Sequence, residues 1–586
     1  MRWFRHIASA FLLTLAFVFA SMLVTEPQTQ AATSCESLNG LTVIGFGTIT
    51  SATRITAPFQ TPASSGSALI TVSAAFPFCK VTASIKPTSD SDVQMEIWMP
   101  EGTNWNSKFL GVGNGALTGA IWHTSMVRPL QAGYAVANSN LGHNATSANW
   151  ALGHPEKVID YAHRGDHVTA EASKAIINIY YGGGLEHSYF HGCSNGGHQA
   201  LMEAQRYPAD YDAIIAGAPW NQWVHQNIEF ISRAIALEAL LPTKRAMITA
   251  AVNAQCGGQD GGVATDGYLN APQRCTFKPE SLLCAGANGP NCLTEAEVEA
   301  VEKVYQGPVN PDTELSLFPG FERGSEFGWS GFGGFSNNLF QNMIFGEPTF
   351  DFHNFNFSSD TDRFDALFGD LINSASPDLS AFRQRGGKLL LWHGWTDTTL
   401  EPRSTVNYYN SLVAVTGNGL SLDDLDDQGH RGDLVSDRRG SLERAQRFVR
   451  LFMAPGVNHC GGGLGPNSSF AYTLGNAVGS LDADHDILAA LDRWVEDGIA
   501  PDQFIASHFT AGVADKTRPV CAYPKLAVYK GEGLNPNIPT SWACVNDWDQ
   551  FNMDYTQVLE NIRYAVKTDN FFSLPNGGRP PTIGER

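Results

Sequence analysis

Basic residues are scarce in this sequence. Its 586 residues include 38 lysines and arginines against 58 aspartates and glutamates, which gives a net charge of −20, and no block of five or more basic residues occurs. A surface with that balance repels a phosphate backbone instead of attracting it. The sequence therefore excludes a nucleic-acid-binding protein.

Apolar runs long enough to cross a bilayer are also missing. The run Phe11–Val24 has 14 residues, whereas a transmembrane helix needs about 20. Arg2 and Arg5 precede this run and a polar stretch ending in two alanines follows it, which is the layout of a secretory signal peptide. We expect residues 1–32 to be removed on export, and we expect no membrane partner. A lipidated Cys35 is the weaker alternative, because no large aliphatic residue stands at the start of the box before it.

Charged residues are also few. They make up 16% of the chain, whereas apolar residues make up 43%. This composition rules out disorder as the main state and provides for a large core, and we expect two compact units. The 58 glycines and 30 prolines indicate many turns without reaching the content of a low-complexity or collagen-like chain.

No Cys-x-x-Cys pair occurs, which disfavours a metal site built from thiolates. Ten cysteines follow the predicted leader, at Cys35, Cys79, Cys193, Cys256, Cys275, Cys284, Cys292, Cys460, Cys521 and Cys544. An even number of cysteines in an exported protein predicts disulfides, here five. Spacing makes the pairs 256–275 and 284–292 plausible, but it does not fix the pairing.

Short apolar runs bounded by Gly, Pro or Asp alternate with helical patterns. One helix is expected to be capped by Asp166 and to end at the glycines 182–184, and another to run near Asp484–Asp497. Strands that alternate with helices predict an α/β fold whose mostly parallel sheet is covered on both faces. The predicted buried strands are Lys108–Gly113, Tyr134–Asn138, His187–Cys193, Asp212–Ala218 and Lys388–His393.

Residues 221–377 break this alternation. They contain four of the cysteines and a run at 318–357 that is rich in glycine and phenylalanine. We expect an inserted lid domain there, and a catalytic domain formed by residues 33–220 and 378–586. The aromatic side chains of the insertion could line a pocket, but aromatics in a segment with few aliphatic residues more often form its own core.

A Gly-x-Ser-x-Gly pattern follows the predicted strand at 187–193. It is centred on Ser194, and a helical pattern at Gln199–Arg206 comes next. A strand, a tight glycine turn and a helix are the setting of a serine nucleophile in α/β hydrolases. Chance matches to this pattern are common, so the interpretation depends on the elements around it; a structural glycine-rich turn is the alternative.

A serine hydroxyl needs a base, and the base needs an orienting carboxylate. In this fold the three residues occur in the order Ser, then Asp or Glu, then His. Asp397 lies in the loop after the strand Lys388–His393, and His459 lies in the loop after the apolar run Phe448–Met453. The sequence therefore predicts the catalytic triad Ser194, Asp397 and His459.

Cysteines flank two of the triad residues. Cys193 immediately precedes Ser194, and Cys460 immediately follows His459. A catalytic serine and histidine must come within hydrogen-bond reach, which brings their neighbours close enough for disulfide geometry. The mechanism therefore predicts a disulfide between Cys193 and Cys460.

Several stretches of this sequence resemble the tannase and feruloyl esterase family: Gly192–Gly197, His393–Asp397 with Pro402, His459–Cys460, Phe109–Gly115 and Gly320–Trp329. That family also resembles the hydrolase of mono(2-hydroxyethyl) terephthalate. The resemblance implies an α/β-hydrolase core with a large lid, and substrates that are esters of hydroxylated or carboxylated aromatic acids. It also implies the remaining disulfides, 35–79, 256–275, 284–292 and 521–544.

Acyl transfer also needs an oxyanion hole. In this fold the hole is built from the amide after the nucleophile, here Asn195, and from an amide in an early strand-to-loop turn, here Gly113–Gly115. The resemblance to the family favours Gly115 within that turn. A turn that needs glycine for backbone reasons alone is the alternative.

The family's lid carries a calcium loop just after the position of Cys256. The resemblance therefore implies a structural calcium with Asp260, Asp266 and Tyr268 as ligands. The sequence departs from that loop, because Gly257 stands where the first Asp is expected and two extra residues separate Asp260 from Asp266. Calcium takes six to eight oxygen ligands, so two carboxylates and a carbonyl make a weaker site.

Together these features predict an exported serine esterase that cleaves esters of hydroxycinnamic or gallic acids through an acyl-enzyme, with no cofactor for the chemistry. A hydrolase of terephthalate monoesters is the alternative within the same chemistry. A secreted binding protein without turnover is the alternative of another class, and the complete triad disfavours it. The expected partner is a small aromatic ester whose acid the lid selects.

Overall fold

The structure, a computed structural model, describes residues 33–61, 70–420, 437–470, 479–551, 558 and 561–565. Its strands are β1 (Thr42–Val43), β2 (Gly47–Ile55), β3 (Phe59–Gln60), β4 (Thr71–Val72), β5 (Phe78–Ile85), β6 (Val93–Pro100), β7 (Lys108–Val112), β8 (Ala135–Ser139), β9 (His187–Cys193), β10 (Ala213–Gly217), β11 (Lys388–Gly394), β12 (Val449–Ala454), β13 (Gln503–Thr510), β14 (Val513–Cys521), β15 (Lys525–Tyr529) and β16 (Trp542–Asn546). The predicted leader, residues 1–32, lies outside the described residues.

The α-helices of the described residues are α1 (His123–Gln131), α2 (Pro155–Ile159), α3 (Gly165–Tyr181), α4 (Asn195–Arg206), α5 (Trp223–Leu237), α6 (Pro242–Cys256), α7 (Glu295–Gln306), α8 (Gly333–Leu339), α9 (Ser359–Phe364), α10 (Asp370–Ile372), α11 (Ser380–Gln384), α12 (Pro402–Ala414), α13 (Arg438–Ala445), α14 (Ile487–Asp497) and α15 (Trp548–Phe551). Helix α14 is the one expected near Asp484–Asp497. None of the helices in the described ranges has the length and apolar character needed to span a membrane.

Ten of the described strands form one sheet, in the order β1-β2-β5-β6-β8-β7-β9-β10-β11-β12. The strands from β8 to β12 in that order pair in parallel, and β1, β2, β5 and β6 extend the sheet with antiparallel pairs. The predicted α/β fold is confirmed. All five predicted strands lie in the parallel part and end within one residue of their predicted bounds. The sequence patterns do not predict the antiparallel edge.

Burial on both faces explains why the parallel strands are apolar throughout. Every residue of β7, β8 and β10 is buried. Phe109 and Ile214 belong to an apolar cluster on one face. Leu110 and Ile215, the next residues along their strands, belong to a second cluster on the other face. This alternation places helices and apolar side chains on both sides of the sheet.

The start of helix α3 differs from the sequence-based expectation. The chain enters α3 from a π-helical turn at Asp160–Arg164, so its backbone is already helical there. Asp166 lies inside the first turn, and its buried carboxylate accepts a hydrogen bond from Gln199 at 3.2 Å. The prediction that Asp166 caps the helix is therefore wrong. The helix ends as predicted at Gly182, whose φ is 77°.

Residues 221–377, here called the inserted segment, connect β10 to β11. They contain helices α5 to α10, with one apolar cluster of their own and a second cluster that they share with residues outside the segment. Trp329 and Phe340 are fully buried in these clusters, and Phe332 and Phe335 pack against them. Phe327 is exposed. These aromatic side chains therefore pack partly within the segment and partly between the segment and the rest of the chain.

All ten cysteines form disulfides in the structure. The pairs are 35–79, 193–460, 256–275, 284–292 and 521–544. These are the pairs that the mechanism and the family resemblance predict. The inserted segment holds two of them, and the others join parts of the chain around the central sheet.

Candidate active site

Ser194 lies at the sharp turn between β9 and α4. Its φ of 66° is positive, which is uncommon for a residue with a side chain and typical of a strained functional turn. Small neighbours make this turn possible, because a Cβ on Gly192 would collide with the carbonyl oxygen of Gly196. Glycine is therefore required at position 192, since the helix starts directly against the strand.

The three predicted triad residues come together at the carboxyl ends of the parallel strands. His459 Nε2 is 2.9 Å from Ser194 Oγ, and His459 Nδ1 is 2.7 Å from Asp397 Oδ2. The Asp397 side chain is fully buried, whereas that of His459 is 24% exposed. The predicted nucleophile, base and orienting acid are thus in hydrogen-bond contact in the order that acyl transfer requires.

The Asp397 carboxylate is surrounded by donors. Its Oδ1 accepts hydrogen bonds from the backbone amides of Thr399 at 2.8 Å and Leu400 at 3.1 Å. Its Oδ2 lies 2.7 Å from His459 Nδ1 and 3.0 Å from His393 Nε2. Burial alone would raise the pKa of Asp397, but the charge of His459 and the hydrogen bonds from both histidines hold that pKa well below its usual range. The carboxylate is therefore ionised at neutral pH.

The disulfide between Cys193 and Cys460 joins the nucleophile turn to the histidine loop. The two Cα atoms are 5.9 Å apart, although 267 residues separate the cysteines in the chain. The pairing predicted from the mechanism is confirmed. Because each cysteine adjoins a triad residue, the bond limits how far Ser194 and His459 can move apart.

The turn predicted to supply an oxyanion donor packs against helix α4. A Cβ on Gly113 would lie 2.7 Å from Gln199 Oε1, so the backbone approaches the helix closely. The backbone amide of Asn114 donates a hydrogen bond to the same Gln199 oxygen at 2.7 Å. The turn that contains Gly115 thus lies beside the helix that begins at Asn195. Their roles as oxyanion donors stay predictions.

A buried cluster of charged residues ties helix α5 of the inserted segment to the loop after Asp397. The fully buried Arg233 donates to the carbonyl oxygens of Thr398 at 2.9 Å and Thr399 at 3.3 Å, and it pairs with Glu229 at 3.2 Å. Burial raises the pKa of Glu229 and of its neighbour Glu401. Sequence analysis misses this cluster, because Glu229 and Arg233 look like an exposed i,i+4 pair on a helix.

The carboxylates of Asp260 and Asp266, two of the three predicted calcium ligands, are engaged with other groups. Arg518 donates to both carboxylate oxygens of Asp266 and to the hydroxyl of Tyr268. The Asp260 carboxylate accepts backbone amides, among them that of Ala271 at 2.9 Å. Calcium needs free oxygens converging on one point. The Asp266 carboxylate as arranged does not fit calcium, because the Arg518 guanidinium lies against both of its oxygens.

Comparison with known proteins decides the family. The model of the family described as tannase and feruloyl esterase matches residues 79–545 of the chain, which is most of its length. The chain belongs to the tannase and feruloyl esterase family. An uncharacterized esterase of Xanthomonas campestris pv. campestris is 36% identical over 558 residues, which cover 89% of this chain and 92% of that protein. A probable feruloyl esterase B-2 of Aspergillus terreus is 30% identical over 506 residues, 83% of this chain and 89% of that one.

Two solved structures resemble this member of the tannase and feruloyl esterase family. Feruloyl esterase B from Aspergillus oryzae has a TM-score of 0.77 at 24% identity, over 87% of this chain and 99% of that one. Tannin acyl hydrolase from Aspergillus niger has a TM-score of 0.67 at 17% identity, over 89% of this chain and 94% of that one. The α/β-hydrolase fold is confirmed. As a member of the family, the protein is a carboxylic ester hydrolase.

Proposed function

We propose that this member of the tannase and feruloyl esterase family is a secreted serine esterase that hydrolyses esters of hydroxycinnamic or gallic acids through an acyl-enzyme. The observation that carries the proposal is the line from Ser194 through His459 to Asp397, with 2.9 Å and 2.7 Å between the polar atoms. The relative named as a probable feruloyl esterase supports the choice of an aromatic acid.

In the first half-reaction Ser194 Oγ attacks the ester carbonyl carbon while His459 Nε2 takes the hydroxyl proton. The π electrons of the carbonyl move to its oxygen, and the amides of Asn195 and Gly115 donate hydrogen bonds to the resulting oxyanion. The carbonyl then re-forms, the ester C–O bond breaks, and His459 gives its proton to the leaving alkoxide. The alcohol departs and the acyl group stays on Ser194.

In the second half-reaction His459 takes a proton from water, and the hydroxide oxygen attacks the acyl-enzyme carbonyl. When that intermediate collapses, the bond to Ser194 Oγ breaks and His459 returns the proton to the serine. Asp397 stays ionised in both steps, consistent with its lowered pKa, and it stabilises the imidazolium of His459. The products are a free aromatic acid and the regenerated serine.

Contacts beside the triad support a lid role for residues 221–377 over a catalytic domain of residues 33–220 and 378–586. The Trp220 amide donates to the carbonyl oxygen of Ser194 at 3.2 Å. The Trp220 ring stacks on Trp223 at the start of the segment, with ring centroids 5.2 Å apart. Gly328 approaches the loop after Asp397 so closely that a Cβ would lie 2.7 Å from Thr398. Both tryptophan rings are buried, so the packing of the inserted segment begins directly beside the nucleophile turn.

Secretion is supported by two independent features. The leader pattern at residues 1–32 is that of a signal peptide. Five disulfides join the ten cysteines, and disulfides persist in oxidising compartments and are rare in the cytosol. Detection of the processed chain, beginning near residue 33, outside the cytoplasm of the expressing cell would test this part of the proposal.

The proposed activity is tested with methyl ferulate, methyl gallate, chlorogenate and a terephthalate monoester. Wild type is compared with Ser194→Ala, and with Ser37→Ala as a matched change of an exposed serine far from the triad. We expect turnover of the hydroxycinnamate or gallate esters to fall by on the order of 10⁶-fold in Ser194→Ala and to stay unchanged in Ser37→Ala.

Mass spectrometry of the quenched wild-type reaction should then find the acyl group on the peptide that contains Ser194. Turnover by Ser194→Ala at the wild-type rate would refute the serine mechanism. Preference for the terephthalate monoester would replace the proposed acid by a carboxylated one. Inactivity of the folded wild type on every ester would favour the secreted binding protein.

A further inference from the structure

His393 contacts the triad acid from inside the sheet. It is the sixth residue of β11, its side chain is fully buried, and its Nε2 lies 3.0 Å from Asp397 Oδ2. Its other ring nitrogen, Nδ1, lies 2.8 Å from the hydroxyl of Thr405 on α12, which is also fully buried. A buried imidazole is costly unless both of its nitrogens are satisfied. Here one partner is the triad acid itself.

The directions of these hydrogen bonds follow from counting protons. Ionised Asp397 can only accept, so Nε2 of His393 carries a proton and donates it. In a neutral ring Nδ1 of His393 is then an acceptor, and the hydroxyl of Thr405 donates to it. On the other side His459 Nδ1–H donates to Asp397, which leaves its Nε2 as the acceptor facing Ser194. Each hydrogen bond in this chain therefore has one donor and one acceptor.

The terminal torsion of a carboxylate has broad energy wells, so the donors on both oxygens decide how firmly each oxygen is placed. In Asp397 two backbone amides hold Oδ1, and the two imidazoles hold Oδ2. Without His393, His459 would be the remaining donor to Oδ2, and that is the ring that must itself be held. Catalysis is sensitive to such placement, since a small displacement of the base lowers the rate strongly.

We propose that His393 is a positioning residue for ester hydrolysis: it fixes the Asp397 carboxylate so that Oδ2 keeps His459 in the tautomer whose Nε2 accepts the proton of Ser194. Thr405 completes the arrangement by fixing the tautomer of His393. The inference rests on the proposed serine mechanism and adds to it a second histidine that touches no substrate atom.

The test compares steady-state kinetics and pH profiles of wild type, His393→Leu, His393→Gln and Thr405→Val on the best ester of the panel. Leucine fills the buried space without a donor, whereas glutamine keeps an N–H group. We expect His393→Leu to lower kcat by about 10- to 100-fold with KM nearly unchanged, and His393→Gln to recover a large part of that loss. The acidic limb of kcat/KM should move to higher pH in His393→Leu, because a carboxylate with one donor fewer holds the proton of His459 more strongly.

A kcat of His393→Leu equal to wild type with an unchanged pH profile would overturn the proposal. Equal losses in the leucine and glutamine variants with the wild-type pH profile would overturn it as well, since that result indicates packing alone. If His393→Leu does not fold, Thr405→Val decides: a lower kcat with a shifted pH profile supports the proposal, and wild-type behaviour refutes it.

Ser194→Ala is measured in parallel. Full activity of that variant would refute the serine mechanism itself, whereas its inactivity beside an unaffected His393→Leu would refute only the role of His393.

Discussion

Two buried aspartates of this molecule have opposite protonation behaviour, for a local reason. Asp397 has donors on both oxygens, two backbone amides and two imidazoles, and its pKa is lowered. Asp166 accepts one hydrogen bond, from Gln199, and its Oδ2 makes none within the described part of the chain. Burial therefore raises the pKa of Asp166 to about 7, although the bond from Gln199 opposes the shift. The number of hydrogen-bond donors around each buried carboxyl group decides which of the two is charged.

Asp166 predicts a specific pH dependence of stability. Its folded pKa of about 7 lies above the ordinary aspartate pKa of 3.8, so the folded state binds more protons between these values. The free energy of unfolding should therefore fall as pH rises from about 4 to 7, by up to about 1.4 kcal/mol per pH unit from this group. Asp166→Asn removes that contribution.

We expect the Tm of Asp166→Asn to rise relative to wild type as the pH goes from 4 to 8. Thermal unfolding of both proteins across that range measures the difference, with Asp497→Asn as the matched change of an exposed aspartate. A difference in Tm that stays constant with pH would contradict the buried, protonated carboxyl.

At the scale of elements, the active site depends on loops that follow separate strands of one sheet. Ser194 follows β9, Asp397 follows β11 and His459 follows β12. The disulfide between Cys193 and Cys460 is the covalent link between the first and the last of these loops. Parallel strands align their carboxyl ends, and the disulfide then limits relative motion of the two loops.

Replacing both Cys193 and Cys460 by serine should lower stability and activity together. We expect a loss of about 2–5 kcal/mol in the free energy of unfolding and a lower kcat, because the distance between Ser194 and His459 is less restricted. Urea unfolding and ester kinetics measure the two effects. The matched control replaces Cys284 and Cys292, whose disulfide closes a separation of only 8 residues in the inserted segment. Equal losses of kcat in both double variants would contradict a specific role at the triad.

At the scale of the whole molecule, one buried ion pair joins distant parts of the chain. Asp266 of the inserted segment accepts two hydrogen bonds from Arg518 of β14, and both side chains are 6% exposed. The guanidinium also lies 4.6 Å from the ring of Trp542. The guanidinium of Arg518 thereby holds the inserted segment to the C-terminal strands.

This arrangement predicts how the protein responds to metal removal. We expect EDTA to leave the Tm unchanged, because Arg518 already neutralises Asp266. Arg518→Gln should lower the free energy of unfolding by about 3–5 kcal/mol, because it leaves a buried carboxylate without its partner. Differential scanning calorimetry with and without EDTA, followed by added calcium, measures both effects. A fall in Tm on chelation that calcium reverses would show that the metal site implied by the family resemblance exists.

Local patterns predicted those features that depend on neighbours in the chain. The apolar run at Lys388–His393 needed only burial on both faces to form β11, and the glycines around Ser194 needed only a tight turn. Asp166 was misassigned as a cap because the π-helical turn before it has no sequence signal. His393 and Thr405 lie on different elements, and nothing in their sequence neighbourhoods shows that they meet.

The sequence by itself determined the α/β alternation and the disulfide between Cys193 and Cys460, and it predicted the insertion and the triad, because each follows from periodicity, turn chemistry or mechanism. Only the tertiary structure decided that Arg518 occupies the position beside Asp266, that Arg233 binds the loop after Asp397, and that His393 shares its carboxylate. The physical reason is that these contacts join residues far apart in the chain, where burial and hydrogen-bond geometry depend on how the elements pack.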